Sequence, residues 1–120
     1  MNIDDIQKSV SDEIRAAIKA ATPEAVYPKD EFGEPSGCGD GKQQSTVRVA
    51  GWDPDETQTN DDLIKKSSAY LTSRGWQVSP ETTASDDRSA IVSKDGLGDG
   101  RLYASNQGLT FTGKTACTGD

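Results

Sequence analysis

Apolar residues near the start of the chain recur at spacings of three and four, which places them on one face of a helix. These residues are Ile3, Ile6, Val10, Ile14, Ala17, Ile18 and Ala21. Asn2 precedes the pattern and is a favoured capping residue, while Thr22-Pro23 ends it. We predict an amphipathic helix here, with Asp4 and Asp5 near the positive end of its dipole.

A second helical pattern lies in the middle of the chain. Thr59 or Asn60 can cap its start, and Gly75 stands where helices commonly end in a left-handed residue. The residues that share one face of this predicted helix are Leu63, Ser67, Tyr70, Leu71 and Arg74.

Alternating apolar and polar positions predict the strands, which we place at 46–52, 75–79, 88–94, 101–105 and 109–114. Turn-forming residues at 95–100 and 106–108 join the last three strands as hairpins. Ile91 breaks the alternation of its strand. The residues that we expect to face the core are Ala90, Val92, Leu102, Ala104, Leu109 and Phe111.

The predicted order of elements is α-β-α-β-β-β-β, which is typical of an α+β fold. We expect one domain over residues 1–120, with two helices on one face of a mainly antiparallel sheet of about five strands. Residues 23–45 contain three prolines and four glycines, so we expect a long loop there. We interpret residues 118–120 as a tail.

The charge and composition of the chain exclude several classes of function. There are 13 basic and 20 acidic residues, a net charge of −7, and no histidine. Without histidine, Ser-His-Asp and Cys-His catalysis and imidazole zinc sites are excluded. A nucleic-acid partner is not expected, because binding phosphates needs clustered Lys and Arg. Leu, Ile, Val and Phe together fall below the roughly 20% that warns of disorder in a highly charged chain, so the core should be thin.

Two segments resemble ligand-binding motifs without meeting their structural requirements. Residues 108–115 have the spacing of a phosphate-binding loop, but Leu-Thr-Phe-Thr alternates like a strand. Residues 53–57 resemble the start of a calcium loop, but Gln58 and Ile64 stand where the loop needs Gly and Glu. We therefore predict a protein with no catalytic residues, no cofactor and no metal site.

Cys38 and Cys117 are far apart in sequence, and neither belongs to a CxxC pair. This spacing argues against zinc-ribbon and thioredoxin-type sites. Two alternatives remain, namely reduced thiols in a cytosolic protein or one disulfide. The disulfide would close a loop of about 80 residues, worth roughly 4 kcal/mol in the chain-entropy model. It would also place the protein in an oxidising, extracytoplasmic compartment.

Aromatic residues in so polar a chain are either core anchors or parts of a binding surface. Trp76 directly follows Gly75, where a large ring can seal the junction of helix and sheet, so we predict that it is buried. Trp52 ends a strand beside acidic residues, and both a core and an interface position are open for it. The candidate interface consists of Trp52, Asp53 and Asp55.

The second half of the chain resembles a known class of proteins. A helix bearing Leu and Tyr leads into Arg74-Gly75-Trp76-Gln77-Val78, and a late strand, 109–115, ends near Cys117. These features are similar to the mature domains of small actinobacterial cell-envelope lipoproteins of unassigned function. The resemblance covers about half the chain. It implies an extracytoplasmic location and a disulfide between Cys38 and Cys117, and it implies no catalytic residues.

Our hypothesis is a non-enzymatic, extracytoplasmic domain of a secreted or surface-anchored lipoprotein that binds a protein or a small ligand. The sequence shows no export signal and no apolar run of the roughly 18 residues that a membrane span needs. If the protein is secreted, an export signal or a lipid-bearing cysteine could have been removed from before residue 1, and the sequence leaves this question open. The alternative is an acidic inhibitor or immunity-type protein, because a charge of −7 would steer a basic partner enzyme.

Overall fold

A computed structural model describes residues 2–27, 30–53, 58–81, 87–105 and 108–119. Two helices occur in these ranges, α1 (Ile3–Ala21) and α2 (Asn60–Ser73). Four short or medium strands precede α2, namely β1 (Glu31–Phe32), β2 (Ser36–Gly39), β3 (Lys42–Gln44) and β4 (Thr46–Trp52). Four strands follow α2, namely β5 (Gln77–Glu81), β6 (Arg88–Lys94), β7 (Gly98–Ser105) and β8 (Gly108–Thr115).

Helix α1 begins and ends where its sequence pattern predicts. The Asn2 side chain accepts a hydrogen bond of 2.8 Å from the backbone N–H of Asp5, which satisfies an otherwise unpaired donor of the first turn. The predicted apolar stripe is buried from Ile6 onward, on Ile6, Val10, Ile14, Ala17, Ile18 and Ala21. The pattern therefore predicted both the helix and the face that it buries.

Helix α2 is closed at both ends by local hydrogen bonds. The Thr59 hydroxyl accepts from the backbone N–H of Asp62 at 3.0 Å. At the other end, Gly75 adopts φ +91°. Its N–H donates to Thr72 O at 3.1 Å, and the Trp76 N–H donates to Leu71 O at 3.0 Å. This pair of bonds is the Schellman arrangement, which needs a residue that tolerates positive φ.

Within the described ranges, the main sheet has six strands in the order β1-β4-β8-β7-β6-β5, and each strand is antiparallel to its neighbours. Helix α1 packs against β4 and β8, and α2 packs against β5 to β8, so both helices share one face. The predicted α+β class, with helices on one face of an antiparallel sheet, is confirmed. The strands β2 and β3 form a separate two-stranded hairpin.

The segment 23–45 differs from the long loop that we expected. It contains β1, which pairs with β4 as a sixth strand of the sheet, and the β2–β3 hairpin. The hairpin turns through Gly39, Asp40 and Gly41, all with positive φ. These strands are short and largely exposed, so they carry no apolar alternation by which they could be recognised. In the tail, Thr118 pairs with Gln43 in an isolated bridge.

The core lies between the helices and the sheet. All six predicted core residues of β6, β7 and β8 have no exposed surface, and Trp76 is 3% exposed, so these predictions are confirmed. Ile91 breaks the alternation because it lies on the other face of the sheet, where it is 41% exposed. Gly100 and Gly113 pair directly across β7 and β8. A Cβ atom on Gly113 would lie 2.7 Å from both Gly100 Cα and Phe111 Cζ, so the core has no room for one.

Candidate functional site

The candidate site is the face of the sheet opposite the helices, which we call the open face. Its two central rows follow from the strand register. In the first, Arg48 pairs with Thr112, Thr112 with Arg101, and Arg101 with Ile91. In the second, Ala50 pairs with Thr110 and Thr110 with Tyr103. Directly opposed residues lie on the same side of a sheet, so these side chains form one continuous surface.

Val26 and Trp52 extend the open face at the far end of β4. The backbone N–H of each donates to the carbonyl of the other at 2.9 Å. Such a pair places the two side chains next to each other on the same side of the sheet. Val26 is 51% exposed and Trp52 46%, and we call the pair the Val26–Trp52 patch.

Most of the large apolar surface on the described residues lies on this face. Five large apolar side chains are exposed among those residues, and four of them belong to the open face by register, namely Val26, Trp52, Ile91 and Tyr103. The fifth, Phe32, pairs with the buried Val47 and so belongs to the helix side at the edge of the sheet. Exposed apolar residues that are scattered singly need no explanation, but their concentration on one face indicates an interaction surface.

A polar network fixes the segment that carries Val26. Arg15 Nε donates to both carboxylate oxygens of Asp30 at 2.9 Å, and the Ser11 hydroxyl also donates to Asp30. The Arg15 guanidinium lies 5.1 Å from the centre of the Tyr27 ring, and the Tyr27 hydroxyl donates to Arg15 O at 3.1 Å. Tyr27, the residue next to Val26, is thereby held against α1.

The same contacts shift the pKa of Asp30. Burial of this carboxyl raises its pKa, but the hydrogen bonds from Arg15 and Ser11 and the charge of Arg15 outweigh burial. The net result is a pKa below the ordinary value of 3.8. Asp30 is therefore an ionised anchor at neutral pH.

The centre of the open face is a shallow hollow of about 470 Å³, lined by Arg48, Arg101, Tyr103, Thr110 and Thr112. None of these five residues is acidic. Arg48 Nη1 lies 3.9 Å from Glu31 Oε1, and both side chains are largely exposed, so this contact constrains Arg48 weakly. Arg48 is thus available to a partner that brings a carboxylate.

Two of the side chains that line the hollow, Arg101 and Tyr103, donate hydrogen bonds to carboxylates at its border. Arg101 donates to Glu81 from Nε at 2.7 Å and from Nη2 at 3.2 Å, and this hydrogen bonding lowers the pKa of Glu81. The Tyr103 hydroxyl donates to Asp87, which raises the pKa of Tyr103. These bonds hold Arg101 and Tyr103 in place, and fixed side chains lose little entropy when a partner binds.

Two of the three predicted interface residues are described by the structure, and of these two Trp52 is exposed. Asp53 is 2% exposed, so the expectation that it forms part of an exposed interface is corrected. The alternation of β4 explains the difference, because Asp53 follows an outward Trp52 and so lies on the inward side. Asp55 lies outside the described residues.

The other residues of the open face were not predicted as site residues. Those on β6 to β8 could have been found, because they alternate with the six core residues that the pattern identified correctly. Val26 could not have been found in this way, since its place depends on a bridge to a distant part of the chain.

The two cysteines lie at the end of the molecule opposite the Val26–Trp52 patch. Cys38 and Cys117 form a disulfide-distance pair, with sulfur atoms 2.16 Å and Cα atoms 6.2 Å apart. Beside them, Gln43 and Thr118 exchange backbone hydrogen bonds of 2.8 Å. The cysteine pair therefore ties the β2–β3 hairpin to the segment after β8. Because β4 starts just after β3 and ends at Trp52, about 20 Å of strand separates the two features.

Three further searches concern membrane spans, metal sites and known proteins. Among the described residues, no helix has both the length and the apolar character needed to cross a membrane. In the same ranges, no group of three or more His, Cys, Asp or Glu residues is placed to hold a metal ion. No protein-family model, curated protein or solved structure matches this chain.

Proposed function

We propose that this chain is a non-enzymatic, extracytoplasmic binding module that docks a protein partner through its open face. The observation that carries this proposal is the gathering of Val26, Trp52, Ile91 and Tyr103 on the one sheet face that no described helix covers. Trp, Tyr and Arg are the residues that most often dominate the energy of protein interfaces. The open face combines all three types.

The charges of the open face indicate what the partner presents. The Val26–Trp52 patch suits an apolar anchor, and the hollow beside it offers Arg48, whose contact with Glu31 is long and exposed. A complementary partner therefore places an apolar side chain on the patch and a carboxylate opposite Arg48. This chemistry favours a binding module over the acidic inhibitor, whose contact surface would need carboxylates to meet a basic enzyme.

The cysteine pair supports an extracytoplasmic location, because disulfides persist in oxidising compartments and are rare in the cytosol. A secreted or surface-anchored lipoprotein domain, as the resemblance of the sequence implies, fits this location. The disulfide lies away from the open face, so its role in this proposal is structural.

Site-specific photocrosslinking in the envelope of the native host tests the proposal. A photoreactive residue at Tyr103 or Ile91 should crosslink the same partner protein, since both positions lie on the open face. The control position is Ala20, which is exposed on α1 at the opposite side of the molecule. Crosslinking from Ala20 but not from the open face would contradict the proposal. A partner that crosslinks equally from all three positions would also contradict it.

A further inference from the structure

The β2–β3 hairpin lies outside the packed core of the molecule. Every residue of these two strands is at least partly exposed. A Cβ atom on Gly37, Gly39 or Gly41 would meet nothing within 4 Å, so the hairpin is open to solvent at these positions. An isolated two-stranded hairpin is at best marginally stable in water. The order of this hairpin therefore depends on what holds it to the rest of the chain.

Hydrogen bonds around Ser45 mark where the hairpin leaves the core. Ser45 directly follows β3 and is 2% exposed. Its backbone N–H donates to Thr115 Oγ1 at 3.0 Å, and the Thr115 N–H donates to Ser45 O at 2.8 Å. The Ser45 hydroxyl donates to Gly33 O at 2.7 Å, which joins the two ends of the segment 34–44. We call residues 34–44 the arm, and Gly33 with Ser45 its base.

The cysteine pair holds the arm far from its base in sequence. Cys38 lies in β2, and Cys117 follows β8. Beside this pair, Gln43 and Thr118 exchange backbone hydrogen bonds of 2.8 Å. Gln43 is exposed, and hydrogen bonds that water can replace add little to stability. The covalent link is therefore the contact that fixes the arm on the segment after β8.

This link is accessible to a thiol reductant, because Cys117 is exposed and Cys38 is half-buried. The thiolate of a dithiol can attack Cys117 Sγ, which forms a mixed disulfide and releases Cys38 as a thiolate. The second thiolate of the dithiol then attacks the reductant's own sulfur and releases Cys117. Two electrons pass to the cysteine pair, each cysteine takes up one proton, and the dithiol leaves as a disulfide.

We propose that the cysteine pair is a redox-controlled tether. Reduction by a dithiol releases the arm from the segment after β8, while the six-stranded sheet stays folded. The release ends at the base, because the hydrogen bonds of Ser45 to Thr115 and Gly33 are independent of the cysteines. The tether lies away from the open face, so this inference does not depend on the proposed protein-binding function.

Amide hydrogen exchange, resolved by residue with NMR, tests this inference on the full chain. In the oxidised chain, the amide protons of Gln43 and Thr118 should be protected, since each is hydrogen-bonded. After reduction with dithiothreitol, both should lose their protection and exchange like those of an unstructured peptide. The amide protons of Thr115 and Gly33 should stay protected, because they donate within the core at 2.8 and 2.9 Å.

Two variants separate release of the arm from general destabilisation. The double variant Cys38→Ser, Cys117→Ser should show the exchange pattern of the reduced chain without any reductant. Val92→Ala is the control, because it removes part of a fully buried side chain from β6 and lowers the stability of the whole chain. With its cysteines intact, Val92→Ala should keep the arm protected.

Three results would overturn the proposal. The first is that Gln43 and Thr118 exchange freely in the oxidised chain, and the second is that they stay protected after reduction. The third is that Thr115 and Gly33 lose protection together with them, because the whole chain would then unfold. Each of these results leaves the crosslinking test of the open face unaffected.

Discussion

Val26 and Trp52 exchange two backbone hydrogen bonds of 2.9 Å, and both side chains are about half exposed. Most exposed apolar side chains in proteins are scattered, but these two are held side by side by the backbone. Neither is needed to fill the core. The arrangement therefore stabilises an apolar surface that is available to a partner.

Exposure of Trp52 leads to a prediction about stability. Trp52→Ala should lower the free energy of unfolding by about 1 kcal/mol, because nearly half of this side chain is already exposed in the folded chain. The control is Trp76→Ala, which should cost about 3 to 5 kcal/mol because Trp76 is 3% exposed. Urea denaturation followed by circular dichroism measures both values. A large loss in Trp52→Ala would show that the ring supports the fold.

The cysteine pair should stabilise the chain mainly by restricting its unfolded state. Replacing Cys38 and Cys117 by Ser removes a closed loop with a sequence separation of 79 residues. The expected loss is about 4 kcal/mol in the chain-entropy model. In urea denaturation, a reductant should lower the free energy of unfolding of the native chain by the same amount. The reductant should not change the free energy of unfolding of the double Ser variant. Free thiols in protein isolated from its host under native conditions would contradict the extracytoplasmic location.

Asp30 should make the stability of the chain depend on pH. Its pKa in the folded chain is lowered from the ordinary value of 3.8, so the folded state favours the ionised form. The stabilisation is complete above the unfolded pKa and is lost as the pH falls through the folded pKa. Urea denaturation at a series of pH values should therefore show a loss of stability below about pH 4. Asp30→Asn has no carboxyl group at this position, so the contribution of Asp30 to the loss of stability at low pH should be absent in this variant.

Arg15→Lys serves as the conservative comparison for this cluster. Lysine keeps the positive charge but lacks the planar guanidinium that meets Asp30 from both Nε and Nη2 of Arg15. The pH dependence of Arg15→Lys should lie between those of the native chain and Asp30→Asn. A pH profile of Asp30→Asn that matches the native profile would show that Asp30 is not the group responsible.

The contact of Gly113 with β7 should make it intolerant of a side chain. A Cβ atom on Gly113 would lie 2.2 Å from Asp99 O, a backbone atom that cannot rotate away. Gly113→Ala should cost at least about 1 to 3 kcal/mol, the usual penalty for overpacking. Gly37→Ala is the control, since a Cβ atom there meets nothing within 4 Å. Equal stability of the two variants in urea denaturation would contradict the packing of β7 on β8.

The sequence predicted those parts of the fold that local chemistry determines. The caps at Asn2 and Thr59, the closing Gly75 and the alternating core residues of β6 to β8 all depend on neighbours in sequence. The strands β1 to β3 depend on distant partners instead, through pairing with β4, the bridge to Thr118 and the link to Cys117. A polar segment without alternation carries no local sign of such pairing.

The candidate site was predictable to a smaller extent. Trp52 was identified as an aromatic residue at a strand end, but Asp53 was assigned to the interface although the alternation of β4 places it inside. Arg101 and Tyr103 follow from the alternation of β7. Val26 lies in a segment that we expected to be a loop, and only its pairing with Trp52 places it on the open face.

The most direct test of the open face as a binding surface is the affinity of the crosslinked partner for variants of this chain, measured by isothermal titration calorimetry. We predict that Trp52→Ala and Arg48→Ala each weaken binding by at least about 2 kcal/mol, or roughly 30-fold. Arg74→Ala removes an exposed arginine at the end of α2 and should leave the affinity unchanged. Equal affinity of the native chain and the Trp52→Ala and Arg48→Ala variants would contradict the account.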